Sequence, residues 1–316
     1  MTQYPSLFGG KGSNLIKLIN SNINVPPGFI INTKSYKNFL KTSQIKEKLL
    51  HILSNGYHAK DIIGISNRIK ELYLRAQSTQ EITEEIKIAY TKLVRKTSKN
   101  TSFSVRSSTD IEDSNCFSFA GQAESYLNIK TFKGIINYIK NCWISLYSPQ
   151  ALLNFLKMNK ENKKISLIEL KMAVIIQKMI NSQKSGVLFT VNILNNDKNE
   201  MLINSTWGLG DTNTNNIFVP DMINLDKKQF KIVKIVIVKK EKMSLINSNR
   251  PLTGLSKIKQ KLKEICSLNN HQLFQLYNLG LNIESVFNYP QDIEWAIEKD
   301  ILYTLQSRPI ITLRKI

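Results

Sequence analysis

The spacing of apolar residues divides the chain into stretches of different period. Residues 13–20 read as a short helix with Ser13 near its start, and Val25-Pro26-Pro27-Gly28 is a turn leading into a strand at 29–31. Thr33 or Ser35 is the candidate cap for a helix running from Tyr36 through Leu40. Between 41 and 99 apolar positions recur at helical spacing: Ile45, Leu49, Leu50 and Ile52, then Ile69, Leu72 and Tyr73, then Ile82, Ile86 and Tyr90. Residues 101–106 form a strand candidate and 110–121 a polar loop. Residues 135–156 are helical, interrupted at Ser148-Pro149. The period then changes, and 172–180, 186–191, 201–205 and 230–239 are β-rich with short connections. Helical spacing returns over 253–287 through Leu262, Ile265, Leu268, Leu273, Leu276 and Leu279, and 292–309 closes the chain as a hairpin turning at Glu298-Lys299-Asp300. The expected class is mixed α/β (α+β): one domain over 1–316, with a helical or mixed lobe over 1–170 and a β-rich lobe over 171–316 around a cleft.

Composition narrows the class. A chain of 316 residues with 42% hydrophobic and 9% aromatic content buries a sizeable core and is not a disordered segment. Lys and Arg number 44 against 24 Asp and Glu, a net charge of +20. The lysines are scattered, and no Arg-rich arm, zinc-finger spacing or RNP-like aromatic signature accompanies them, which disfavours a nucleic-acid partner. The same field favours phosphate-bearing ligands. Cys116, Cys142 and Cys266 are far apart and form no C-x-x-C, as in a protein of the reducing cytoplasm. Gly9, Gly10 and Lys11 interrupt any apolar leader, and the most apolar stretch, 232–238, contains Lys234 and is too short to span a bilayer, so no membrane association is expected. His51, His58 and His271 have no acidic or cysteine partner at ligand spacing and read as solvated or partly packed.

Several segments carry candidate chemistry. Asp292 and Glu294 are two apart, so on a strand both carboxylates share a face; Gln306 and Arg308 repeat the spacing on the return strand. Hard oxygen ligands beside a fixed cation suit a Mg²⁺–triphosphate, although an edge hairpin with a solvated acidic face has the same pattern. Gly9-Gly10-Lys11-Gly12-Ser13 combines glycines, a lysine and a helix start, which makes either a phosphate cradle or a plain Gly-rich turn. It is not a Walker A loop, because Pro5 and Gly12 stand where glycine and Ser or Thr are required. Arg106 lies among Ser104, Ser107 and Ser108, able to grip a phosphoryl group or to pair with Asp110, Glu112 or Asp113. The run Ala173-Val174-Ile175-Ile176-Gln177-Lys178-Met179-Ile180 is a buried strand whose backbone could read an adenine edge where it leaves the core, and Trp207-Gly208-Leu209-Gly210-Asp211 sets flexible glycines beside an acid.

Taken together, the blocks at 9–15, 104–108, 118–122, 173–188, 207–210 and 290–309 resemble, in order, the N-terminal ATP-grasp domain shared by phosphoenolpyruvate synthase, pyruvate phosphate dikinase and rifampin phosphotransferase. The resemblance implies an ATP-grasp fold, ATP and Mg²⁺ as ligands, and roles by position. Lys11 and Arg106 would hold the triphosphate, Gly121 and Gln122 would cover it, and Gln177 and Met179 would meet the adenine, with Asp211 also in the nucleotide site. Glu294 and Gln306 would bind Mg²⁺ with Asp292 in support, and Lys11, Arg106 and Arg308 are the catalytic candidates. The family usually has Glu where Asp211 stands, and Asn215-Asn216 replaces an expected Ser-Gly pair. Relatives also carry a swivelling domain with a Thr-Ser-His histidine, and no Thr-Ser-His occurs here. The implied function is an ATP-dependent phosphotransferase component of the dikinase type, converting ATP to AMP and phosphate. It would pass a phosphoryl group to a histidine on a separate partner and thence to a small-molecule acceptor. The alternatives are a self-sufficient kinase or ligase and a non-catalytic nucleotide-binding protein.

Overall fold

The computed structural model describes residues 4–54, 58–77, 79–97, 101–109, 125–160, 167, 169–210, 219–246 and 253–310. They fall into two compact units, Met1–Ser13 with Pro27–Lys178, and Asn14–Pro26 with Met179–Ile316. Helix α1 (Tyr4–Asn20) runs from one into the other and is kinked at Gly9. It starts well before Ser13, whose hydroxyl instead donates to the Gly9 carbonyl at 2.6 Å.

The first unit is built on a four-stranded antiparallel sheet in the order β1-β4-β2-β3, with β1 Gly28–Ile31, β2 Phe103–Ser108, β3 Ser125–Ile129 and β4 Ala173–Lys178. Its helices are α2 (Thr33–Thr42), α3 (Ile45–Ser54), α4 (Ile62–Arg75), α5 (Gln80–Lys96), α6 (Phe132–Ser145) and α7 (Pro149–Lys160). Strand alternation sorts the sheet into two faces. Phe103, Val105, Val174 and Ile176 join the helices in one core with Phe39, Ile69 and Trp143. Ser104, Arg106, Ser108 and Gln177 occupy the alternate positions, leaving a polar row on the other face. Within the core the Tyr36 hydroxyl lies 2.9 Å from that of Tyr73 and 3.4 Å from that of Tyr147. Desolvation raises the pKa of all three phenols, so they stay neutral and satisfy one another.

The cap of α2 is neither Thr33 nor Ser35. Asn32, in extended backbone, accepts from the amides of Lys34 and Ser35 at 3.0 and 3.1 Å, while the Thr33 hydroxyl donates to the Ser6 carbonyl. An asparagine is as good a cap as a hydroxyl, and the residue with non-helical backbone decides between neighbours.

The second unit holds a six-stranded antiparallel sheet: β5 Lys184–Phe189, β6 Glu200–Trp207, β7 Asp221–Asp226, β8 Ile232–Val236, β11 Gln291–Glu298 and β12 Ile301–Pro309, in the order β12-β11-β5-β6-β7-β8. A two-stranded ribbon joins β9 (Lys242–Ile246) to β10 (Thr253–Lys257). Helix α8 (Asn270–Phe287) packs on the sheet face that carries Leu188 and Met201; a Cβ on Gly280 would lie 3.0 Å from Leu188 Cδ2. The helical expectation for 253–287 therefore fails over its first half. Residues 253–257 pair with β9, and α8 begins only after Asn269, whose side chain closes a capping box with Gln272. Leu262, Ile265 and Leu268 have helical spacing but lie before α8, Leu262 at the end of a short 3₁₀ turn (Gln260–Leu262) and the other two in irregular chain. Among the described residues no helix is long and apolar enough to cross a membrane.

A buried ion pair fixes the second unit. Asp221, at the start of β7, is fully buried and accepts from Lys240 Nζ at 2.5 Å, from the Ser267 amide and hydroxyl at 2.8 and 2.9 Å, and from the Val238 amide at 3.2 Å. Four donors compensate the carboxylate's desolvation, and the pair ties together β7, the residues after β8 and the approach to α8. Asp221→Asn would leave Lys240 charged and unbalanced, so it should lower stability by about 3–5 kcal/mol. Denaturant titration checks this, and a double change to Leu at 221 and Met at 240 should cost less than the single one.

Candidate functional site

In the first unit the glycine segment lies against the end of β2. Gly9 has φ 67° and ψ 175°, a region closed to other residues, and a Cβ there would fall 2.3 Å from Ser108 Oγ. Ser108 Oγ donates to the Phe8 carbonyl at 2.8 Å and accepts from the Gly12 amide at 3.0 Å; the Gly10 amide donates to the Thr109 carbonyl at 2.9 Å. The phosphate-cradle reading of this loop thus changes. Two of its amides are spent on β2, so the glycines serve close packing of chain on chain. What the packing delivers is Lys11, whose Nζ reaches the Ser107 carbonyl at 3.5 Å, next to Arg106. Lys11 and Arg106 are both half-buried, and Arg106 shares its sheet face with Ser104 and Ser108. The Ser107 hydroxyl is buried without a hydrogen-bond partner among the described residues.

Gln177 is buried, and β4 is paired on both sides there, to Gly28 of β1 and Ser104 of β2. Gly28 permits this approach, since a Cβ would lie 2.5 Å from the Ile176 carbonyl oxygen. The last strand contact is the Lys178 amide to the Pro27 carbonyl at 2.8 Å. Any backbone edge offered to a ligand therefore begins at Met179, which is buried and opens the second unit. Gly121, Gln122 and Asp211 lie outside the described residues, as do Asp110, Glu112 and Asp113.

In the second unit the hairpin forms in the expected register. Asp292 stands opposite Arg308 and Glu294 opposite Gln306, with a bulge immediately after. All four occupy the sheet face away from α8, because Ile293, Trp295 and Leu188 occupy the alternate positions. Arg308 Nε donates to Asp292 Oδ2 at 2.8 Å. Burial pushes the Asp292 carboxyl above its ordinary pKa; Arg308 opposes the rise and Glu294 adds to it. Gln306 is buried at 5% exposure, and its Oε1 has no hydrogen-bond partner among the described residues. A buried amide acceptor beside a carboxylate is a donor set that fits an oxygen-seeking divalent cation.

Two neighbours were not legible as candidates. Asn204 of β6 sits in the same cross-strand row as Glu294 and Gln306, through Val187, and Thr206 lies two residues on. Asn204 Oδ1 and Thr206 Oγ1 are also buried without partners among the described residues. The sequence signal is the polar run Asn204-Ser205-Thr206 after the apolar Met201-Leu202-Ile203, although a run does not say which of its members are buried. Within Trp207-Gly208-Leu209-Gly210 the chain is held by hydrogen bonds at Gly208. Gly208 has φ 79°, its amide donates to the Gln183 carbonyl at 2.8 Å, and its carbonyl accepts from Ser182 and Ser185 at 2.9 and 2.7 Å.

With this geometry in place, comparison with known proteins assigns the class. The chain belongs to the family described as pyruvate phosphate dikinase, AMP/ATP-binding domain, whose model matches residues 5–316. It is 34% identical over 313 residues to a probable phosphoenolpyruvate synthase of Methanocaldococcus jannaschii, covering 98% of this chain and 26% of that protein. It is 34% identical to the phosphoenolpyruvate synthase of Pyrococcus furiosus, covering 98% and 42%. It is 32% identical to a rifampicin phosphotransferase of Bacillus cereus, covering 97% and 34%. The chain thus spans less than half the length of these curated relatives. A solved D-alanyl-alanine synthetase A from Vibrio cholerae covers 96% of this chain and 55% of its own, at 9% identity and TM-score 0.36, a likeness that adds nothing to the family assignment.

Gly9→Ala should cost about 1–3 kcal/mol from the forced backbone alone, read as a shift of the denaturant midpoint. Gln306→Leu should behave oppositely. Removing a buried acceptor that lacks a partner is expected to leave the unliganded chain unchanged or to stabilise it by about 1–2 kcal/mol. The same substitution should weaken divalent-dependent nucleotide binding, measured by calorimetry.

Proposed function

We propose that this chain is the phosphoryl-donor component of a dikinase-type phosphotransferase. It takes ATP, water and a histidine on a separate domain or protein, and yields AMP, phosphate and phosphohistidine, from which a small-molecule acceptor is phosphorylated. The observation that carries the reading is the Glu294–Gln306 pair at one register position of β11 and β12, with the buried Gln306 oxygen lacking a donor among the described residues. Membership of an AMP/ATP-binding family supports the nucleotide, and the printed names of the relatives support the reaction class.

Phosphoryl transfer asks a protein mainly for positioning and for charge neutralisation. A bound Mg²⁺ would neutralise phosphate oxygens, and Glu294 and Gln306 would hold it, with Asp292 nearby. Asp292 fixes the guanidinium of Arg308 through the 2.8 Å bond, so a cation is preorganised to meet transferred charge. Lys11 is held at the end of β2 by the glycine packing and contributes a point charge toward the triphosphate. Arg106 offers a planar fork suited to a phosphoryl group. Gly121 and Gln122 would cover the phosphates, Gln177 and Met179 would adjoin the adenine, and Asp211 would complete the nucleotide contacts. Cys142 and Cys266 are in the thiol form, which suits a reducing cytoplasmic setting.

The test is to supply the histidine-bearing part of a phosphoenolpyruvate synthase in trans with Mg·ATP and identify the nucleotide product. AMP with an acid-labile phosphoprotein supports the reading; ADP formed by the chain alone would replace it with direct kinase or ligase action. Arg106→Ala and Glu294→Ala should each lower turnover by at least a hundredfold, about 2.7 kcal/mol in the barrier. Both should fold normally by circular dichroism.

A further inference from the structure

We infer that the helical part of the first unit holds a second anion site, for a small phosphate-bearing molecule, independent of the nucleotide chemistry proposed above. A cavity of about 560 Å³ opens between α3 and α4. That volume lies within the range of small-ligand pockets, ~300–1,000 Å³. Its charged lining is mostly basic. Lys48 comes from α3 together with His51, Arg68 and Arg75 come from α4, and among the described residues the one carboxylate lining it is Glu71.

The helical period explains the arrangement. Lys48, His51 and Ile52 are three and four apart, as are Arg68, Glu71, Leu72 and Arg75, so each helix turns a basic stripe over an apolar floor of Ile52 and Leu72 toward the cavity. Glu71 already accepts from Arg75 at 3.3 Å, which leaves Lys48 and Arg68 without a lining carboxylate among the described residues to balance them. Two facing helices gain nothing from opposing like charge, whereas a polyanion seated between them neutralises both stripes. Guanidinium forks from two turns of one helix match phosphate oxygens better than point charges do. The apolar floor leaves room for an organic portion of the ligand. These residues are exposed, so the site accounts for affinity and not for folding.

His51 provides a local reporter, because the chain has only three histidines. Its imidazole resonance, assigned with His51→Gln, is followed while inorganic pyrophosphate is titrated without divalent cation. A saturable shift is expected, with at least tenfold weaker apparent affinity in the Arg68→Ala, Arg75→Ala double variant. Affinity should rise severalfold in Glu71→Gln, a gain that a folding defect cannot mimic. No saturable shift, a shift indifferent to these changes, or equal saturation by sulfate would overturn the site. Binding elsewhere on the chain leaves the His51 signal unmoved, and that outcome also counts against it.

Discussion

The second unit depends on how buried oxygen atoms are satisfied. At Asp221 the fold supplies four donors, and the carboxylate becomes a structural anchor. On the closing hairpin it does not. Gln306 presents a buried carbonyl oxygen with no donor among the described residues, and Asp292 is desolvated with a single arginine in compensation. An acceptor left in that condition costs about 1–3 kcal/mol. The sheet satisfies Asp221 fully and leaves the Gln306 oxygen on the hairpin face without a donor among the described residues. The proposed metal role of Glu294 and Gln306 follows from that contrast.

The first unit solves a different problem, the placement of two positive side chains. Gly9 adopts a backbone other residues avoid, and Ser108 binds the loop on both sides of it. The consequence is that Lys11 reaches the carbonyl next to Arg106 without relying on a long flexible excursion. The glycines matter for what they let the chain approach.

Much of this was legible in the sequence, and the misses have physical causes. The hairpin register was readable because Asp292, Glu294, Gln306 and Arg308 share a period of two around a short turn, and β11 and β12 pair accordingly. The helices over 45–96 followed from their apolar spacing. The ribbon β9–β10 was not readable, since Thr253 to Lys257 gains strand geometry only from pairing with Lys242 to Ile246. Asn204 and Thr206 stood out only as part of the polar run 204–206, because their burial without a partner among the described residues is a property of neighbouring strands. The sequence left Gly9 to Gly12 open between a cradle and a plain turn for a related reason: which amides bond to the end of β2 depends on residues nearly a hundred positions away.

The most direct test of the central claim is to look at the cation itself. Mn²⁺ bound with ATP to protein labelled with ¹³C at glutamine side-chain carbonyls can be examined by electron–nuclear double resonance. The account predicts a ¹³C coupling that vanishes in Gln306→Leu, with weakened Mn²⁺ retention in Glu294→Ala. A ternary complex of full affinity, with no such coupling and no response to either substitution, would contradict it.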